Sequence, residues 1–223
     1  MKNHRWLESH GLLMTVLVIL VVLIGGIVEI VPLYFVRSSV PPIEGVLPYS
    51  PLELEGRDIY IREGCYLCHS QMVRPFRDET ERYGPYSKAG EFVYDRPFQF
   101  GSKRNGPDLH RVGGKYPDSW HYMHMRNPRD TSPGSIMPNY PWLHEHKLDT
   151  TYTDKKMQVL LSMGVPYTAV QMEYGKALLH KQAKEITERL KAAGVQDAQE
   201  DREIIALIAY LQKLGSDIHW RDN

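Results

Sequence analysis

Cysteine is almost absent from this chain, with two in 223 residues. Two cannot build a disulfide framework or a four-cysteine zinc site. Neither sign of charge is in excess, since 27 Lys+Arg balance 27 Asp+Glu. Without a basic surplus, no nucleic-acid partner is expected. Alanine does not occur before Ala89, so no A-x-A-like cleavage site follows the apolar N-terminus. There is no internal repeat and no low-complexity tract. Charged residues make up 24% and hydrophobic ones 42%, the balance of a folded protein. The length favours one or two domains.

What is present starts with an apolar run. Gly11 to Val28 carries no charge, and apolar character resumes after Glu29 as far as Val36. At about 1.5 Å per residue such a helix spans a hydrocarbon core of roughly 30 Å with tilt. The run exceeds a signal-peptide core, so residues 1–36 read as an uncleaved transmembrane anchor. Lys2, His4 and Arg5 before it outweigh Arg37 after it, which places the N-terminus in the cytoplasm. Trp6 and Tyr34/Phe35 suit the two interfacial belts. Glu29 falls near the outer interface, where it reaches water or a partner helix. Gly25-Gly26 would let a second helix approach closely.

Residues 37–49 hold three prolines and no period, so they read as a linker. Ser50, Pro51 and Glu53 form an N-cap, a first-turn proline and a capping box. They predict a helix whose face carries Leu52, Gly56, Ile59 and Tyr60. Residues 70–149 read as long loops with short helices, which need an organising group. Three helices are then predicted: Thr153 to Met163, Pro166 to about Ala193 with a solvated charged face, and Asp201 to Leu214. The last carries an apolar stripe of Ile204, Leu207, Ile208, Tyr210, Leu211 and Leu214. Residues 150–200 read as a helical insertion within a domain spanning 50–216, with 217–223 as a tail.

Cys65-Tyr66-Leu67-Cys68-His69 is the C-x-x-C-H signature of covalent heme c attachment. Two thiols add across the two heme vinyl groups, and the intervening pair lets both reach one porphyrin edge. The adjacent His69 then offers a ring nitrogen to the iron. No βαβ context supports a thioredoxin-like pair, and no second cysteine pair supports zinc. Met137, in the rigid segment Pro133–Pro138, is the favoured sixth ligand; Met123, Met125, His121 and His124 are rivals. A Met/His pair suits an electron carrier, because methionine raises the potential and leaves no open position for oxygen. Residues 96–130 carry seven Lys/Arg against three Asp. Their charge is either solvated or turned toward heme propionates.

The run Cys65–Pro75, the segment Gly101–Leu109, Val112-Gly113-Gly114, Trp120-His121 and Ser135–Pro138 resemble one known family. It is the membrane-anchored mono-heme subunit (subunit II, the O subunit) of cbb3-type cytochrome c oxidases. The resemblance implies a mainly α chain: one transmembrane helix, a class I-like cytochrome c domain with long loops, and extra C-terminal helices. It implies that the Pro107 carbonyl accepts the His69 Nδ1 proton, and that Gly56 and Tyr210 form the crossing of first and last helices. Arg74, Ser102, Lys103 and Arg104 become candidate propionate or partner contacts. One covalent heme c would take electrons from a diheme cytochrome c subunit or a soluble cytochrome c. It would pass them to heme b of the catalytic heme-copper subunit, where oxygen becomes water with proton pumping. This chain would be a non-catalytic relay, anchored in lipid of the bacterial inner membrane with its heme domain in the periplasm. Three other readings remain: the cytochrome c subunit of a nitric oxide reductase, a membrane-anchored heme sensor, and an assembly subunit whose heme is structural.

Overall fold

The computed structural model describes residues 3–35 and 40–218. Lys2, Arg37 and residues 219–223 lie outside the described residues, as do the side chains of Tyr34 and Phe35. The chain divides into two compact units, 1–41 and 42–223. Among the described residues there are eleven α-helices and no strand, only an isolated bridge between Lys147 and Arg202.

The first unit holds α1 (Asn3–Ser9) and α2 (Gly11–Phe35). His10 separates them; its ring lies tilted against Trp6, centroids 4.8 Å apart, and its Nδ1 reaches the Trp6 carbonyl at 2.8 Å. The stretch Gly11–Leu33 is long and apolar enough to cross a membrane. Its side chains stay exposed, as a bilayer-facing helix requires. Pro32 lies inside the helix near its end, where it removes one intrahelical hydrogen bond.

The second unit is built on α3 (Pro51–Arg62) and α11 (Glu203–Lys213). The predicted cap of α3 is present in full: Ser50 Oγ accepts from the Glu53 amide and Glu53 accepts from the Ser50 amide. Gly56 is where the two helices meet. A Cβ there would fall 1.9 Å from the Ala206 carbonyl oxygen and 2.9 Å from Tyr210 Cβ. Only glycine permits that approach. The sequence shows one apolar stripe on α11, yet Glu203 through Leu211 are all buried, Ile205, Ala206 and Ala209 included. The helix is enclosed by α3, α5 (Asp118–Arg126), α7 (Trp142–Glu145) and α10 (Gly175–Ala192). Each of its buried Ile and Leu side chains contributes about 1.5–3 kcal/mol by leaving water.

The long-loop region 70–149 contains α4 (Arg77–Tyr83), α5, α6 (Pro128–Thr131), α7 and a 3₁₀ turn at Ala89–Phe92. Buried ion pairs organise it. Arg57 Nε meets Asp95 Oδ1 at 2.5 Å, Arg104 pairs with Glu79, and Arg111 pairs with Glu91. Each guanidinium also donates to loop carbonyls, which satisfies backbone that no ladder would.

One predicted element is corrected. The single helix expected from Pro166 to Ala193 is two: α9 (Ala169–Glu173) and α10, broken at Tyr174. Residues 164–168 are not helical; Thr168 caps α9 with Gln171 as its reciprocal partner. At this break α10 packs against α8 (Thr153–Ser162): a Cβ on Gly175 would lie 3.4 Å from Asp154 Oδ1 and 3.5 Å from Met157 Sδ. Tertiary packing thus overrides the continuous helical pattern. Along α10, Leu179, Ala183, Ile186 and Leu190 face the core, and Lys181, Lys184, Glu185 and Glu188 face water.

Candidate functional site

The site begins where α3 ends. Gly64, at φ +70°, turns the chain, and Cys65–Leu67 makes a single 3₁₀ turn. The His69 amide bonds to the Cys65 carbonyl at 2.9 Å. One turn therefore presents both thiols and the histidine together. Cys65 and Cys68 are half-buried and unpaired, and Tyr66 and Leu67 between them are exposed. Burial, with Glu63 nearby, pushes the Cys65 thiol up to about 12.

The His69 ring is held by a second loop. Its Nδ1 donates to the Pro107 carbonyl at 2.8 Å. A Cβ on Gly106 would lie 2.2 Å from His69 Cε1, so the ring fits only against glycine. The loops are stitched by Gly106 N to the Cys68 carbonyl at 3.0 Å and Leu109 N to the Ser70 carbonyl at 2.8 Å. Burial lowers the His69 value against the opposing pull of Pro107 and Asp108. With Nδ1 committed, Nε2 is the nitrogen left for a metal.

Sequence reasoning missed the group that fixes these loops. The Asp108 carboxylate, buried beside Pro107, accepts from Ser70 Oγ at 2.6 Å and the Met72 amide at 2.7 Å through Oδ2. Its Oδ1 accepts from the His110 amide at 2.8 Å. Arg104 donates to Ser70 Oγ at 2.6 Å and the Met72 carbonyl at 2.9 Å while pairing with Glu79. That pairing holds the Glu79 carboxyl below its usual range. Arg74 donates to the Ser102 carbonyl at 3.1 Å. Arg104 and Arg74 are thus engaged with protein groups, and the Ser102 and Lys103 side chains are exposed. The only signal in the sequence was an aspartate directly after the proline. A further bond, Gln71 Nε2 to Tyr210 Oη at 2.9 Å, ties the strap after His69 to α11.

Met137 is half-buried and packs against the same main core as Cys65, its amide 3.2 Å from Ser135 Oγ. Three residues on, the Tyr140 phenol is raised by burial and by the neighbouring Cys65 and Cys68. The strap that carries Met137 therefore returns beside the cysteines. Of its rivals, Met125 and His121 are buried and Met123 is half-buried. His121 stands edge-on to Trp120, with a buried Nε2 that lacks a hydrogen-bond partner. His124 stacks on Trp120 and reaches Thr131 Oγ1 at 2.5 Å. Burial and the charge of His69 lower it to about 4. Among the described residues no three His, Cys, Asp or Glu side chains gather to hold a bare metal ion. Two half-buried thiols, a histidine with one nitrogen free, a glycine cradle and a half-buried methionine are chemically suited to hold one heme.

A mainly helical chain with one helix long and apolar enough to cross a membrane, and with these groups gathered in one place, has the make-up of a cytochrome subunit. The chain belongs to the cytochrome c oxidase mono-heme subunit family (FixO), which matches residues 4–218. It is accordingly a subunit II of a cbb3-type oxidase, an electron-transport protein carrying one heme and working beside other oxidase subunits. No curated protein matches the chain.

Proposed function

We propose that this chain is the electron-relay subunit of its oxidase and performs no oxygen chemistry itself. Cys65 and Cys68 would hold one heme c through thioethers and His69 and Met137 would ligate its iron, which would supply a single-electron couple. Pro107 orients His69 by accepting the hydrogen bond from its Nδ1–H, which leaves Nε2 for a metal and raises its basicity. Electrons come from a diheme cytochrome c subunit or a soluble cytochrome c and leave to heme b of the catalytic subunit. The anchor sits in the bacterial inner membrane with its N-terminus in the cytoplasm and the heme domain in the periplasm. Arg74, Ser102, Lys103 and Arg104 border the relay. Of these, the engaged Arg104 stiffens the site, and exposed Lys103 is the one free to meet a propionate or a partner.

The observation that carries this reading is the His69 Nδ1 to Pro107 carbonyl bond at 2.8 Å over a glycine cradle. It pre-sets a histidine for ligation in a chain of a mono-heme oxidase family. The test is a reduced-minus-oxidised spectrum of the tagged chain extracted from its native membrane, with and without carbon monoxide. A c-type band together with b-type bands, a carbon-monoxide-sensitive component and cyanide-sensitive oxygen uptake supports it. A lone c-type band refutes the partnership. Carbon monoxide binding to heme of the isolated chain refutes the six-coordinate relay and favours a sensor.

A further inference from the structure

The groups proposed to hold the heme come from two distant parts of the chain. Cys65, Cys68 and His69 follow α3, whereas Met137 lies on a strap, residues 132–141, between α6 and α7. That strap is thinly attached. Ile136 beside Met137 is 79% exposed, and a Cβ on Gly134 (φ +80°) would meet nothing within 4 Å. Its hydrogen bonds to the elements before it are the Tyr140 amide on the Met125 carbonyl at 2.9 Å and Arg129 on the Asn139 side chain at 3.2 Å. Both lead back to α5 and α6 rather than to the cysteine turn. One bond does cross to that turn. Trp142, the first residue of α7, donates its indole N–H to Glu63 Oε2 at 3.1 Å. Glu63 caps the end of α3, two residues before Cys65. Among the described residues no other hydrogen bond joins residues 132–143 to residues 62–69.

The two partners of this bond are themselves held. The Glu63 side chain is 14% exposed, and both its oxygens are committed: Oε2 to Trp142 and Oε1 to Arg62 Nε at 2.9 Å. Arg62 in turn donates to both oxygens of buried Glu203 on α11, at 2.8 and 2.6 Å. So α11 fixes Arg62, Arg62 fixes Glu63, and Glu63 fixes Trp142. An indole N–H only donates, and a carboxylate is its strong acceptor. Tyr140 stands edge-on to Trp142, ring centroids 5.3 Å apart, and its phenol is raised by burial and then by Cys65, Cys68 and Glu63. The aromatic pair at the end of the strap therefore lies beside the cysteine turn. We infer that Glu63 and Trp142 are positioning residues, whose bond clasps the Met137 strap to the cysteine turn and keeps the methionine sulfur on the heme iron. They act through the strap and not on the metal. With the clasp open, the strap is free to lift, and the sixth position is open to a small diatomic ligand that an electron relay excludes.

This inference rests on the proposed His69/Met137 ligation, and the test separates the two. The oxidase is purified with the full chain as wild type, Trp142→Phe, Glu63→Ala and Glu63→Gln. Two spectra are read: the sulfur-to-iron band of the ferric heme c, and the fraction of ferrous heme c that binds carbon monoxide, followed at its c-type band. Trp142→Phe keeps an aromatic ring and loses the N–H, and Glu63→Ala loses the acceptor. Each should weaken the band and raise the carbon-monoxide-binding fraction about tenfold or more, the shift that losing one bond to a charged group produces. The double variant should do no more than either single one, as two residues acting through one bond require. Glu63→Gln, which keeps one acceptor oxygen, should fall between wild type and Glu63→Ala. A band and a carbon monoxide fraction unchanged in both Trp142→Phe and Glu63→Ala overturn the inference, even if their thermal midpoints fall. If Glu63→Ala loses its heme outright, Trp142→Phe decides alone. A wild-type chain without the sulfur-to-iron band refutes the ligation itself, and the clasp with it.

Discussion

Asp108 Oδ2 accepts the Ser70 hydroxyl at 2.6 Å, which joins the residue after His69 to the residue after Pro107. The two loops that hold the histidine from below are thereby fastened at one buried point. Arg104 closes the same knot from the other side.

Asp108→Ala removes the acceptor for Ser70, Met72 and His110 and leaves Arg104 one partner short. The loss should be about 3–5 kcal/mol, the range for breaking a buried charge network. Chemical denaturation followed by circular dichroism reads it. The heme reduction potential should shift as well, since His69 is no longer held in one orientation. An unchanged potential and midpoint would show that Pro107 alone suffices.

Gly56→Ala drives a methyl group into the Ala206 carbonyl, which cannot rotate away. Overpacking at a backbone contact should cost about 3 kcal/mol. Ala206→Gly should not rescue it, because the clash is with main chain. Thermal midpoints of the two single variants and the double variant decide the point.

Met137→Leu keeps the volume of the side chain, so stability should change by less than about 1.5 kcal/mol. The sulfur-to-iron absorption band should vanish, the potential should fall and oxidase turnover should drop steeply. If band and potential survive, the sixth ligand is another methionine, Met123 or Met125 of α5.

His121 is lowered to about 4 by burial, with Asp118 pulling it up and His124 pulling it down. The unfolded chain takes up the proton near 6.5, the folded one only near 4. Stability is therefore complete above about pH 6.5 and lost as pH falls toward 4, by about 3 kcal/mol. Unfolding midpoints measured from pH 7 to 4 should show the decline. His121→Phe should flatten it in part, the remainder belonging to His124, which is lowered in the same way. An unchanged slope in that variant would place the acid sensitivity elsewhere.

Much of this was legible in the sequence because its signals are local. The Ser50–Glu53 cap, the apolar anchor and the cysteine-histidine turn each lie within a few residues. Spacing put Gly56 on the packed face of its helix, but its crossing with α11 was legible only through the family resemblance. The break at Tyr174–Gly175 was not legible, because there α10 packs against α8, about twenty residues away. Nor were the ion pairs of Arg57, Arg104 and Arg111, whose partners sit up to 38 residues distant. The full enclosure of α11 was hidden for the same reason. A helix shows which of its faces is apolar, but not how many neighbours surround it.

The seating of Gly56 beneath Ala206 also sets an order of events in biogenesis. The two residues are joined across most of the domain, so α3 cannot finish packing until α11 has been made and brought back to it. Contacts of such long sequence separation form late and slowly. The cysteine turn, which α3 carries at its end, would then stay pliable through most of translation. On the proposed thioether attachment, that interval leaves both thiols open to reaction before α3 is locked in place.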